Sequence, residues 1–193
     1  MRSRGSTLVL AALACTDTLA CAPTQQQRAK ADMEVIRRET TPERLKARGE
    51  AAAIAGDLTR AEQYFVAALK AGGDERTLTK RLIVVCVTDS RFPAAANYGD
   101  DYLRRHPGDT EIRYAVSTVY IGLGDLALAR DGLERVVRER PDIAEAHFAL
   151  GSVLRQQGES LLDADQQFRE YIRLNPHGEY VEAARASLLK SVP

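Results

Sequence analysis

Residues 110–143 read TEIRYAVSTVYIGLGDLALARDGLERVVRERPDI, the pattern of two amphipathic helices joined by a turn. Val116 and Tyr120 put bulk on one face at helical spacing. Gly124-Asp125 then interrupts the run. Glycine enters a turn at little steric cost, and aspartate can cap the helix that follows. Ala129, Leu133 and Val136 resume the apolar face, and Pro141 closes the second helix because proline cannot continue one from inside.

The chain repeats this unit in phase. Gly56, Ser90, Gly124 and Gly158 stand at the turn between helices, each 34 residues after the last. Ala61, Ala95, Ala129 and Ala164 occupy a close-packed position of the second helix, where a larger side chain would push the pair apart. Gly73, Pro107, Pro141 and Pro176 end the units at intervals of 34, 34 and 35, the extra residue falling in the turn Gly158-Glu159-Ser160-Leu161-Leu162. Three landmarks with one period define four units: 42–75, 76–109, 110–143 and 144–178.

This length, and the order of small, aromatic, Gly-Asp, Ala and Pro positions, resemble the tetratricopeptide repeat family. The resemblance implies an all-α fold, a helical solenoid of about four helix-turn-helix repeats plus a C-terminal capping helix. The first unit has Leu45, Gly49 and Ala52 in its first helix and Ala61, Phe65 and Ala68 in its second, and Arg48 departs from a usually apolar position. The second unit is the most degenerate: LIVVCV, Leu82 to Val87, would be read as a strand if taken alone, and only the phase makes it a helix. Ser90-Arg91 replaces Gly-Asp there, and Pro93 falls in a first turn, where proline is tolerated. The fourth unit carries His147, Leu150, Gly151 and Leu154, then Ala164, Phe168 and Tyr171. Residues 179–190 predict a last amphipathic helix, with Val181, Ala184 and Leu188 covering the final apolar face, followed by a tail to residue 193.

Composition bounds the function. Hydrophobic residues are 45% of the 193, aromatics only 6%, and tryptophan is absent, which suits helices stacked through Ala and Leu. Lys+Arg and Asp+Glu are equal at 27 each, so the excess positive charge of a general nucleic-acid binder is missing, and no nucleic-acid partner is expected. Of the three cysteines, two lie near the N-terminus and Cys86 stands alone in a helix, as a small core side chain.

Residues 1–21, MRSRGSTLVLAALACTDTLAC, have the cationic start and short apolar run of an export signal. The run from Thr7 to Ala14 is less than half the ~20 apolar residues of a spanning helix. Cysteine after a small residue resembles the lipobox of bacterial lipoproteins, in which that cysteine is lipidated. Cys15 has an uncharged run behind it but leaves a short signal. Cys21 gives a more usual length but places Asp17 among residues that should enter lipid. Both stay open, as does plain secretion with cleavage near Ala20. By the sorting logic of that family, the absence of Asp at 16 and 22 implies the outer membrane, periplasmic face. Residues 22–41 follow as a polar tether and a short helix with Ala29, Met33 and Ile36 on one face.

No convergent reactive groups appear. His106 and His177 are two units apart and cannot share a metal, and His147 sits where the family packs an aromatic. Gly122-Leu123-Gly124 follows a helix and lacks the third glycine of a phosphate loop. Arg130, Arg135, Arg138 and Arg140 alternate with Asp131, Glu134 and Glu139, as on a solvated helix face. The expectation is a non-enzymatic protein with no cofactor and no metal.

What the resemblance implies is protein–protein binding on a concave wall built from fixed positions of each first helix. Transferred by phase, these are Thr77, Lys80, Val84, Val87 and Thr88 in the second unit. They are Glu111, Tyr114, Thr118, Ile121 and Gly122 in the third, and Glu145, Phe148, Ser152, Arg155 and Gln156 in the fourth. In the first unit Lys46 fits the family's carboxylate clamp but Glu50 stands in place of its Asn, so an acidic C-terminal tail is not the expected ligand. An amphipathic peptide or a partner helix anchored on Tyr114 and Phe148 is, the alternative being that the two rings pack between adjacent repeats. With the export signal, the whole is similar to lipid-anchored repeat proteins of Gram-negative envelopes, such as the pilotins that assist a type IV pilus secretin or the tetratricopeptide lipoprotein of the outer-membrane β-barrel assembly machine. A generic envelope scaffold, or an accessory subunit of an envelope enzyme, would read the same.

Overall fold

The computed structural model describes residues 24–158 and 160–189, and only the backbone at 31–32 and 35–39. The stretch read as an export signal, with Cys15 and Cys21, lies outside the described residues. Those residues form ten α-helices and no strand: α1 (Gln25–Glu39), α2 (Pro42–Ile54), α3 (Leu58–Lys70), α4 (Glu75–Thr88), α5 (Phe92–Arg105), α6 (Thr110–Leu123), α7 (Leu126–Glu139), α8 (Ala144–Gln157), α9 (Leu161–Leu174) and α10 (Val181–Ser187). The chain divides into two compact units between Arg37 and Arg38. The first holds α1 as far as Arg37. The second is a solenoid of four helix pairs, α2/α3 to α8/α9, closed by α10.

Local chemistry places the helix starts. Asp57, Asp74, Asp109 and Asp125 are N-caps whose carboxylates accept from the backbone N–H of Arg60, Thr77, Ile112 and Leu128 at 3.0, 2.8, 3.1 and 3.2 Å. Each such cap is worth roughly 1 kcal/mol. The turns inside the pairs pass through the left-handed region, with φ of 79° at Gly56, 77° at Gly124 and 72° at Gly158. Ser90 takes the same conformation at φ 57° without glycine's freedom, at a cost of roughly 1–2 kcal/mol. The following residue accounts for its retention. Arg91 donates its backbone N–H to the Cys86 carbonyl at 2.7 Å, and its guanidinium reaches Glu62 and Asp89, both at 2.7 Å.

Packing inside each pair rests on complementary volumes. Positions 49, 83 and 151 of the first helices oppose 65, 99 and 168 of the second. In the first pair a Cβ on Gly49 would meet the Phe65 ring at 2.6 Å, and in the fourth a Cβ on Gly151 would meet Phe168 at 2.9 Å. The second pair reverses the order: Ile83 is the large partner, 3.3 Å from where a Cβ on Gly99 would stand. Interiors packed at crystal density tolerate either arrangement but not two large residues together. The phase alanines are enclosed, Ala61, Ala95 and Ala129 at 0% exposure and Ala164 at 2%. The LIVVCV segment is helical within α4. Its faces supply two cores, Leu82 and Val85 to the first and Ile83 and Cys86 to the second.

The C-terminal helix is shorter than its sequence pattern predicts, seven residues rather than the 179–190 span. Two competing bonds cut it back. The backbone N–H of Tyr180 donates to the Tyr171 hydroxyl at 3.0 Å, and that of Leu189 donates to the buried Asp165 carboxylate at 2.8 Å. Leu188 is extended (φ −66°, ψ 145°), so the chain leaves the helix there. Val181 and Ala184 are buried and Leu188 is packed against the same core.

Candidate protein-binding groove

The first helices of successive pairs touch one another, α4 with α6 and α6 with α8, while no contact of like extent joins α5 to α7 or α7 to α9. Helices on the inside of a curve lie closer than those outside, so α4, α6 and α8 form the concave wall. Its positions divide into a charged end, at the helix starts, and an apolar end.

At the charged end α4, α5 and α6 are laced together. Arg76 donates to Asp109 at 2.7 Å and to Glu111 at 2.5 Å, Lys80 pairs with Glu111, and the Tyr102 hydroxyl donates to Asp109 at 2.9 Å. Burial works against ionisation of Asp109. The Arg76 guanidinium, the Ile112 N–H and the Tyr102 hydroxyl outweigh it and hold the carboxyl at about 2. Lys80 foremost, and then Arg76 against the effect of burial, keep the Glu111 carboxyl below its ordinary range. An open cleft of about 810 Å3 runs along this end, lined by Arg76, Asp109, Glu111, Tyr114, Arg140 and Ile143 among others. Its charges are already paired within the chain: Arg140, for example, bonds Asp142 at 2.7 Å.

The apolar end lies between α2 and α4. Ala53, Ile54, Phe65, Val84 and Val85 line a dent of about 330 Å3, with Glu50 and Arg81 paired across it at 3.1 Å. Val84 is 59% exposed and Ile54 89%, so the dent offers aliphatic surface directly to solvent. Val84 was a candidate from the sequence. Ile54 was missed, although the phase that leads to Thr88, Gly122 and Gln156 leads equally to Ile54 in the first unit.

The remaining candidates are placed as follows. Val87, Thr118, Ile121 and Ser152 are half-buried, and the Thr118 and Ser152 hydroxyls are spent on the carbonyls of Ala115 and Phe148. Tyr114 is half-buried between the charged end and the fourth unit, and burial first, then Glu145, pushes its hydroxyl pKa up. Phe148 is engaged by its own chain. Its ring stacks on Tyr180 at 4.6 Å and 12°, and meets Tyr171 at 5.3 Å and Phe168 at 5.8 Å. Arg155 donates to Ser187 of α10 and lies 5.7 Å from the Phe168 ring centre. Two of the fourth unit's wall positions are therefore taken by the C-terminal segment. A Cβ on Gly122 would meet Phe92 of α5 at 2.8 Å, so that position faces the neighbouring pair.

The reactive side chains are occupied structurally. His147 is buried and bridges Gln167 at 2.7 Å and the Pro141 carbonyl at 3.0 Å. His106 is exposed, stacks on Tyr102 and contacts Glu75 at 3.0 Å, while His177 is exposed. Burial, and then Glu62, push the Cys86 thiol up to about 11, far from the thiolate a nucleophile needs. Among the described residues no cluster of three or more His, Cys, Asp or Glu is placed to hold a metal. On the outer face Arg130 pairs with Glu134 and Arg135 with Glu139.

Residues 46–110 and 114–179 each match the family model described as tetratricopeptide repeat. Solved structures of the same fold include YrrB, described as a TPR protein with an unusual peptide-binding site (19% identity over 83% of this chain and 82% of that one, TM-score 0.66). MamA from Desulfovibrio magneticus RS-1 is 20% identical over 80% and 83%, TM-score 0.63. A tetratricopeptide repeat protein from Parabacteroides merdae ATCC 43184 is 21% identical over 76% of this chain and 58% of that one, TM-score 0.68. At such identities the likeness is one of fold. No curated protein matches the chain.

Proposed function

Because the chain belongs to the tetratricopeptide repeat family, a fold of protein-interaction scaffolds, we propose that it binds a segment of another protein in the groove and has no catalysis of its own. The observation that carries this reading is the solvent-facing aliphatic surface of Ile54 and Val84 beside a charged end whose groups are already paired. Such a wall rewards an apolar side chain and offers little to a highly charged ligand, so the partner is an amphipathic helix or peptide seated by aliphatic or aromatic anchors.

The export signal and the cysteines at 15 and 21 support a finer reading, a lipid-anchored protein at the periplasmic face of the outer membrane. There it would hold a component of an outer-membrane or type IV pilus complex during assembly. Among the described residues no helix is long and apolar enough to cross a membrane, so the attachment proposed is the lipid alone. Cys15→Ser and Cys21→Ser, expressed separately with labelled palmitate, test it. One of the two should lose the label and leave the membrane fraction. A wild-type protein that stays unlabelled and soluble ends the lipoprotein reading. Co-purification from detergent-solubilised envelope then separates a secretin or barrel-assembly partner from an enzyme.

A further inference from the structure

We infer that the partner segment carries a lysine or arginine, and that this basic side chain seats on Glu145 between the rings of Tyr114 and Tyr180. This rests on the groove reading above and gives the partner a second anchor, charged where the Ile54–Val84 dent is apolar. The wall carries one recurring juxtaposition. The fifth position of a first helix comes beside the second position of the next, 31 or 32 residues on. From the second unit to the third it is Lys80 with Glu111, an ion pair. From the fourth unit to the C-terminal segment it is Phe148 with Tyr180, stacked at 4.6 Å and 12°. Tyr180 stands 35 residues after Glu145, as Glu145 stands 34 after Glu111, so it continues the wall beyond the fourth unit.

From the third unit to the fourth the same row holds Tyr114 with Glu145. The glutamate is kept, but a ring replaces the lysine that neutralises its equivalent. Burial first, and then Glu145 and Tyr180, push the Tyr114 hydroxyl pKa up, so the three groups lie together. Glu145 is exposed, and its hydrogen bond within the chain is a long one, 3.4 Å from the Asn175 amide. Among the described residues no cation pairs with it. The cations of the neighbouring cleft are committed elsewhere. Arg140 holds Asp142 through two bonds at 2.8 and 2.7 Å, and Lys80 and Arg76 hold Glu111.

A cation placed there gains from both kinds of neighbour. The carboxylate supplies opposite charge, and the rings supply the negative π faces that attract ammonium and guanidinium groups. Tyr180 is 39% exposed and the 810 Å3 cleft opens onto Tyr114, so the place is reachable from solvent. An acidic side chain would meet repulsion from Glu145, and a purely aliphatic one would strip water from that carboxylate without replacing it. One basic residue satisfies the site, and the rest of the segment need carry no charge.

Selection of a random peptide library against the full chain, followed by fluorescence polarisation of the selected peptides, tests this. The wild type should enrich peptides that combine a Lys or Arg with an aliphatic or aromatic anchor. Glu145→Gln changes an exposed side chain with no ion pair to lose, so the melting temperature should hold while those peptides bind roughly three- to tenfold more weakly. Tyr180→Leu should weaken them similarly, whereas Tyr114→Phe, which keeps the ring, should not. Ile54→Lys should remove the apolar anchor and leave the remaining affinity sensitive to Glu145→Gln. Peptides enriched in apolar residues alone, lost with Ile54→Lys but indifferent to Glu145→Gln, overturn the basic anchor and leave the groove standing. Peptides indifferent to both substitutions overturn the groove as well, and a library that yields no binder counts against both.

Discussion

Replacing Gly49 with alanine puts two effects of known sign against each other. In a helix interior the change gains roughly 0.5–1 kcal/mol, because glycine loses more backbone freedom on folding. At this site the new methyl would stand 2.6 and 2.7 Å from two carbons of the Phe65 ring, distances that Cβ atoms do not adopt, and Phe65 is 1% exposed and packed in the first core. Overpacking of this kind costs about 1–3 kcal/mol, so Gly49→Ala should destabilise by roughly 0.5–2 kcal/mol net. Phe65→Leu removes the ring atoms in question and by itself costs about 1–2 kcal/mol as a core truncation. If volumes are matched across the pair, the double mutant should be more stable than the sum of the singles by about 1 kcal/mol or more. Urea unfolding followed by circular dichroism, with the slope checked for constancy, measures all four corners of the cycle. Additive singles, or a Gly49→Ala protein stabilised by the full propensity gain, would refute the packing argument.

Asp109 carries a pH dependence. Its carboxyl lies at about 2 against an ordinary 3.8, a difference worth about 2 kcal/mol for a side chain only 11% exposed. A depressed acid stabilises above its unfolded value, so the contribution is complete above about pH 4 and vanishes as pH falls through about 2. Asp109→Asn should therefore cost about 2 kcal/mol near neutrality and little near pH 2, and an equal cost at both would show that the ion pair is not its source. Phe148→Ala should lower the melting temperature by several degrees, as loss of a ring packed on Tyr180 requires, while Tyr114→Ala should lower it less. Asp165→Asn weakens the acceptor for Leu189, and protease sensitivity at the C-terminus should rise. Unchanged cleavage would show that Val181 and Ala184 alone hold the cap.

The fold was legible because its landmarks are local and recur. Gly56, Gly124 and Gly158 mark turns, and Asp57 and Asp125 cap the helices after them. The helical reading of Leu82–Val87 came from phase against a strand-like composition. The groove was legible only as a set of positions. Phe148 and Arg155 stand at wall positions, but whether they face a partner depends on where a segment some thirty residues later folds back, and periodicity does not carry that. The lattice of Arg76, Lys80, Asp109 and Glu111 joins neighbouring units at separations of 31 to 35 residues, so the opposite charges could be listed from the sequence but not paired. Ile54 had its signal in the phase, and applying the wall positions to the first unit would have found it. The short α10 had none, because backbone bonds to Tyr171 and Asp165 end it.

The central claim is that the protein holds its partner on the inner wall. A photoreactive amino acid placed singly at Val84, at Tyr114 or, as the outer-face control, at Arg138 tests it most directly in the native cell. The account predicts a discrete crosslinked species from Val84 and Tyr114, absent from Arg138, and lost when Ile54 is changed to Lys in the Val84 background. Crosslinks to the same partner from Arg138 alone, or crosslinks from Val84 indifferent to Ile54→Lys, would contradict it and move the binding face to the outer helices.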